Sequence, residues 1–195
     1  MECHWSWGAD QMIINPLIRA LGFSLATLNM FAFPAHTQAF DLTGTFMDDA
    51  AKAYGLDPYL IYAVGLAESA RGSNGKVAPH PYTLRSKNGA FYGTKSDAEA
   101  ELKRILATND RMVDVGLLQI NLHWNGHGVD PLSLLDPRNN AMHGAKILSA
   151  AISSAPNDIE LGIGRYHAWQ DVERSRNYGK RVLAIHKNLL TEIAK

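Results

Sequence analysis

Residues 114–121 read Asp-Val-Gly-Leu-Leu-Gln-Ile-Asn, "DVGLLQIN". The alternation in "LLQIN" suits a short, buried, extended segment. Gly116 permits a close backbone approach that a Cβ would block. Gln119 and Asn121 bring amides, which donate and accept hydrogen bonds at once. Two readings fit the pattern. The amides are satisfied inside a strand, or they line a cleft and grip hydroxyl and acetamido groups of a ligand.

Upstream, "TLRSKNGAFYGT" (Thr83–Thr94) breaks the surrounding helical pattern. Asn88-Gly89 between two short runs is a hairpin signal, so a small two-stranded flap is expected. Its Phe91-Tyr92 either closes over a ligand or packs on the body. Ser96 and Glu99 then read as a capping box opening the helix "SDAEAELKRILA". Further back, "FMDDAAKAYG" fits a first helix ended by Gly55. Asp57-Pro58 supplies an N-cap and a proline at the first helical position. The helix they open, "YLIYAVGLAESA", should run to about Ala70.

On that helix Leu60, Val64 and Glu68 are spaced by four and share one face. A carboxylate among apolar side chains needs a partner or a task. Desolvation disfavours the ionised form there, and so does the negative end of the helix dipole. Both push Glu68 toward a protonated carboxyl near neutral pH, which is what a general acid requires. The alternative is a glutamate that reaches solvent or pairs with Arg71.

Downstream, His123 and His127 are four apart, but Trp124-Asn125-Gly126 between them is not the zinc-protease pattern, and no third ligand matches. No metal and no cofactor are expected. Trp124 reads as a stacking residue or as core. Asp136-Pro137 opens a long helix with Ala141, Ala145, Leu148 and Ile152 at helical spacing. Two more helices are expected around "IELGIGRYHAW" and "SRNYGKRVLAIHKNLLTEI". In the former, Tyr166 could place its hydroxyl in a cleft and Trp169 could stack on a ligand; aromatics at this spacing also build cores.

Nineteen basic and nineteen acidic side chains give zero formal charge over 195 residues. With no arginine-rich arm or basic block, a nucleic-acid partner is disfavoured. The first forty residues differ from the rest. Arg19, an apolar run from Ala20 to Phe33, then Pro34 and small residues follow the order of a secretory leader. With Thr37 and Ala39 at the −3 and −1 positions, the expected division is a signal peptide over 1–39 and one domain over 40–195. The apolar run is short for a bilayer span, and an uncleaved anchor is the other reading. Trp5, Trp7 and Asp10 do not suit a leader, which makes Met12 a second candidate start. Cys3, the single cysteine, would leave with the leader.

"AESA", "GLLQIN" and "RYHAW", in that order, resemble the SLT-type lytic transglycosylases. The likeness spans roughly Asp48 to Val182. It implies a mainly α, lysozyme-like α+β domain with a small β-hairpin insert. It also implies Glu68 as catalytic acid/base, with Ser69, Gln119, Asn121, Tyr166 and His167 as substrate-binding residues. The family's second motif is usually Gly-Leu-Met-Gln-Ile-Asn and its third Ala-Tyr-Asn, so Leu118, Arg165 and His167 are departures. The segment between the first two motifs is longer than usual. It resembles the version found in transglycosylases encoded with conjugative elements, type IV pili and secretion machines.

The implied reaction cleaves the β-1,4 bond between N-acetylmuramic acid and N-acetylglucosamine without water, leaving 1,6-anhydromuramyl ends. The implied partners are peptidoglycan strands in the periplasm and an envelope-spanning machine. Asp114 is the one nearby acid to weigh. A working second carboxylate would favour a hydrolytic muramidase, whereas a local turn or cap would leave it structural. A non-catalytic wall-binding assembly protein is the third reading, and the joint presence of Glu68, Gln119 and Asn121 speaks against it.

Overall fold

The computed structural model describes residues 40–73 and 76–194; the expected leader lies outside the described residues. Helix α1 (Phe46–Tyr54) is capped by Thr45 and closed by Gly55 in the left-handed conformation, φ +66°. The Asp57 side chain accepts from the Tyr59 N–H and starts α2 (Pro58–Ser69). Two antiparallel hairpins follow, β1 (Ala70–Ser73) with β2 (Lys76–Pro79) and β3 (Thr83–Ser86) with β4 (Gly89–Tyr92). Next come α3 (Lys95–Leu106), β5 (Asp114–Val115), β6 (Ile120–Asn121) and the short α4 (Leu122–Asn125). A 3-10 turn at Pro131–Leu135 leads into α5 (Pro137–Ser153), α6 (Ile159–Gly164) and α7 (Val172–Ile193). The fold is the mainly α, lysozyme-like one with a small β insert that the sequence implies.

The four-stranded sheet runs β4-β3-β5-β6, so "DVGLLQIN" forms the paired ends β5 and β6 with a tight turn between them. Val115, Leu117, Leu118 and Ile120 are buried, in a continuous run rather than the alternation of an extended segment, because residues 116–119 form the turn between the two strands. They share one core with Ile61 and Val64 of α2, Leu148 of α5 and Ile163 of α6. The face carrying Leu60 and Val64 is buried, which fixes the direction of Glu68.

Local details differ from the sequence reading. Ser86 pairs with Gly89, so the turn is Lys87-Asn88, and Gly89 follows it at φ +103°. The capping box is Thr94 with Asp97: each side chain bonds the other's backbone N–H, at 3.1 and 3.3 Å. Ser96 and Glu99 therefore lie inside α3. The β1–β2 hairpin is absent from the sequence reading, although Asn74-Gly75 between its paired ends Ser73 and Lys76 is the same dipeptide signal as Asn88-Gly89. Helix α6 stops at Gly164, and "RYHAW" lies in the turn after it. A Cβ at Gly164 would overlap the Ser175 carbonyl oxygen, and one at Gly179 would overlap that of Glu160. Two glycines thus let α6 and α7 touch backbone to backbone, which brings α7 beside the "RYHAW" turn.

Candidate active site

Glu68 occupies the last turn of α2, with its side chain 15% exposed. Burial pushes its pKa above the ordinary carboxylate range, and the neighbouring Asp114 charge adds to the push. Tyr178, Arg181 and Arg85 act the other way without cancelling it. The next residue holds the helix end in place. The buried Ser69 hydroxyl donates to the Leu117 carbonyl at 2.7 Å and accepts from the His80 N–H at 3.1 Å. Ser69 is thereby engaged by backbone, and it ties Glu68 to the central motif rather than opening toward a ligand.

The motif itself turns on Gly116, at φ +81°, and Gln119, at φ +46°. A left-handed glutamine is uncommon and costs roughly 1 kcal/mol, so surrounding bonds must enforce it. They do. The Gln119 side-chain amide donates to the carbonyls of Gly116 at 2.9 Å and Thr83 at 3.1 Å. Its Oε1 is buried without a partner. Asn140, fully buried on α5, accepts from the Leu118 N–H at 2.8 Å and donates to Val115 and Leu134 carbonyls at 2.8 and 2.9 Å. A side chain at Gly116 would collide with this asparagine. Asn121 donates to Asp114 at 2.7 Å, and its Oδ1 caps α4.

Tyr166 sits beneath this turn and donates its hydroxyl to the Leu118 carbonyl at 2.6 Å. Burial and the nearby Glu68 and Asp114 charges push that phenol's pKa well up, so it stays protonated. His167 is partly exposed, and its Nδ1 lies 3.9 Å from Glu68 Oε1. That spacing suits an ion pair, but burial and the charges of Arg174, Arg181 and Arg85 hold the imidazole's pKa below its ordinary value. Near neutral pH the ring facing the acid is therefore uncharged. It stacks on Tyr178, with centroids 4.8 Å apart and planes within 4°.

Tyr178 escaped the sequence reading. It is buried, and its hydroxyl is close enough to Glu68 to favour the ionised carboxyl, yet it falls short of hydrogen-bond geometry with any group. Arg181, three residues on, lies over the Tyr178 ring at 5.2 Å. The signal for both was their i, i+3 spacing on the last helix, which also fits an ordinary packed face. Asp114 is likewise a member of the site. Burial raises its pKa, against the opposing effects of the Asn121 hydrogen bond and Arg85. Trp124 is 68% exposed, edge-on to His123 at 4.4 Å. Among the described residues no group of three or more His, Cys, Asp or Glu is arranged to hold a metal ion.

One desolvated carboxyl, faced by a phenol, a neutral imidazole and a second acid in a helical lysozyme-like domain, defines the class: a fold and a site suited to acid-assisted cleavage of a glycan. The transglycosylase SLT domain model matches residues 45–182, and the chain belongs to that family. No curated protein and no solved structure is matched by the chain. Members of the family are lytic transglycosylases, and membership implies peptidoglycan as substrate.

Proposed function

We propose that the protein is a peptidoglycan lytic transglycosylase in which Glu68 is both acid and base. The protonated carboxyl gives its proton to the glycosidic oxygen as the bond from that oxygen to muramyl C1 breaks. The acetamido oxygen of the same sugar shields the positive C1. The muramyl 6-hydroxyl oxygen then bonds C1 and returns its proton to Glu68. No water is consumed, and the product carries a 1,6-anhydro ring. Tyr166 and Ser69 hold the motif against the helix end. His167 lies on the substrate side, while Gln119 and Asn121 shape it from behind: the Gln119 amide is held by the Gly116 and Thr83 carbonyls with its Oε1 buried, and the Asn121 amide is held by Asp114 and the start of α4.

The observation that carries this reading is the placement of Glu68, 15% exposed at the end of α2 with His167 3.9 Å away, where burial favours its protonated form. Product analysis of digested sacculi by mass spectrometry tests it. Wild type is expected to release anhydromuropeptides, and Glu68→Gln to lose about 10²–10⁴-fold in rate. Asp114 beside Glu68 supports a second reading, a muramidase that activates water. Reducing muramyl ends in place of anhydro ends would establish that reading.

We further propose export by residues 1–39, action in the periplasm, and local wall opening for a conjugation, pilus or secretion apparatus. The order of charge, apolar run and small residues supports export. The long segment between the first two motifs supports the link to a machine. N-terminal sequencing of the periplasmic form is expected to begin at Phe40; a full-length cytoplasmic protein would refute export.

A further inference from the structure

Beside Glu68 lies a pocket of about 230 Å³ lined by His167, Arg174, Asn177, Tyr178 and Arg181. Arg174, Tyr178 and Arg181 fall at i, i+4 and i+7 on α7, so one helix face supplies two guanidiniums to the same hollow. Three other arginines have carboxylate partners, Arg104 with Glu101 at 2.6 Å, Arg176 with Asp158 at 2.6 Å and Arg138 with Asp49, whereas Arg71 and Arg165 lie over aromatic rings and Arg111 donates to the Leu122 and Gly126 carbonyls. Arg174 and Arg181 form no ion pair among the described residues. Arg181 makes only a 3.4 Å contact to the Ala67 carbonyl and its ring contact with Tyr178.

We propose that this pocket binds a carboxylate of the substrate, held by Arg174 and Arg181 with Asn177 as an added donor. The inference rests on the reading of the substrate as peptidoglycan, whose strands carry carboxylates on the stem peptides and, once stripped, on the lactyl groups. Guanidinium forks match carboxylates in geometry and charge. The arrangement also resolves an electrostatic conflict. Arg181, with Arg85 from β3, favours an ionised Glu68, against the burial and the Asp114 charge that favour its proton. An anion seated between the arginines would offset their field next to the acid. It would also place the strand by a group outside the bond being cut.

The test measures binding to soluble glycan strands by titration calorimetry, on a Glu68→Gln background so that nothing is turned over. Four probes are used: strands with stem peptides, strands stripped of them, and each of these with its carboxyls converted to amides. Amidation, or adding Arg174→Gln, is expected to weaken binding about tenfold or more, equivalent to ~1.4 kcal/mol, with Arg174→Lys retaining part of the affinity. Preference for the stem-bearing strand assigns the stem carboxylate, and preference for the stripped strand assigns the lactyl one. Equal affinity for charged and amidated strands, or no change with Arg174→Gln, would overturn the proposal. Because turnover is absent, this result is independent of whether the released ends are anhydro or reducing.

Discussion

Glu68 sits where opposing fields meet, and the sign of the balance can be measured without substrate. Its folded pKa is raised above the ordinary 4.5, chiefly by burial. Below that value the folded and unfolded chains are both protonated, and the carboxyl costs nothing. As pH climbs, the unfolded chain ionises first, so stability falls until pH passes the folded pKa. Glu68→Gln has no such loss. Its melting temperature should match wild type in acid and exceed it near neutral pH; a gap independent of pH would contradict a desolvated acid. Tyr178→Phe separates two roles in the same way. Its buried hydroxyl has no partner, so removal should leave stability equal or higher. The hydroxyl also favours the ionised Glu68, so removal should move the basic limb of the pH–rate profile upward. An unmoved limb would mean the phenol does not act on the acid. Glu68 was legible because its i−4 and i−8 neighbours are apolar and α2 is nearly buried. Tyr178 was not, because a tyrosine in a packed helix has the same spacing whether it fills a core or faces an acid.

At the level of elements, the geometry of the candidate site hangs on two joints. The first is Asn140, whose three bonds hold the turn between β5 and β6. Asn140→Ala strands buried backbone groups, and a loss of about 3 kcal/mol is expected by urea unfolding. The string around this turn was readable as a short buried segment. Its anchor lay 22 residues from Leu118 on another element, and local pattern carries no such distance. The second joint is the contact of α6 with α7. Gly164→Ala would press a methyl group into the Ser175 carbonyl. Separating the helices should cost about 2 kcal/mol and lower activity by shifting Tyr166 and His167 from Glu68. Wild-type stability and rate in this variant would show the contact to be loose. The helical pattern ran on through "RYHAW" while α6 stops at Gly164, because periodicity reports apolar faces and not where the backbone leaves the helix.

For the molecule as a whole, the family match stops at residue 182, whereas α7 continues to Ile193. The buried hydrophobic residues among those described run from Leu42 to Val182, so burial alone marks the last three turns as dispensable. Their contacts argue otherwise. Leu183, Ile185 and Leu189 pack half-buried on the core. His186 Nε2 lies 2.5 Å from an Asp57 carboxylate oxygen. Asp57 is the N-cap of α2, the helix that ends in Glu68. The terminal turns therefore clamp the start of the helix whose last turn holds the acid. Deleting residues 183–195 removes the apolar cover, worth about 3 kcal/mol for three half-buried side chains. It also leaves the cap without its imidazole partner. Urea unfolding should show that loss. His186→Ala alone should cost less, near 1 kcal/mol, the worth of one hydrogen bond. A truncated chain as stable as the full one would confine the working domain to the family-matched core.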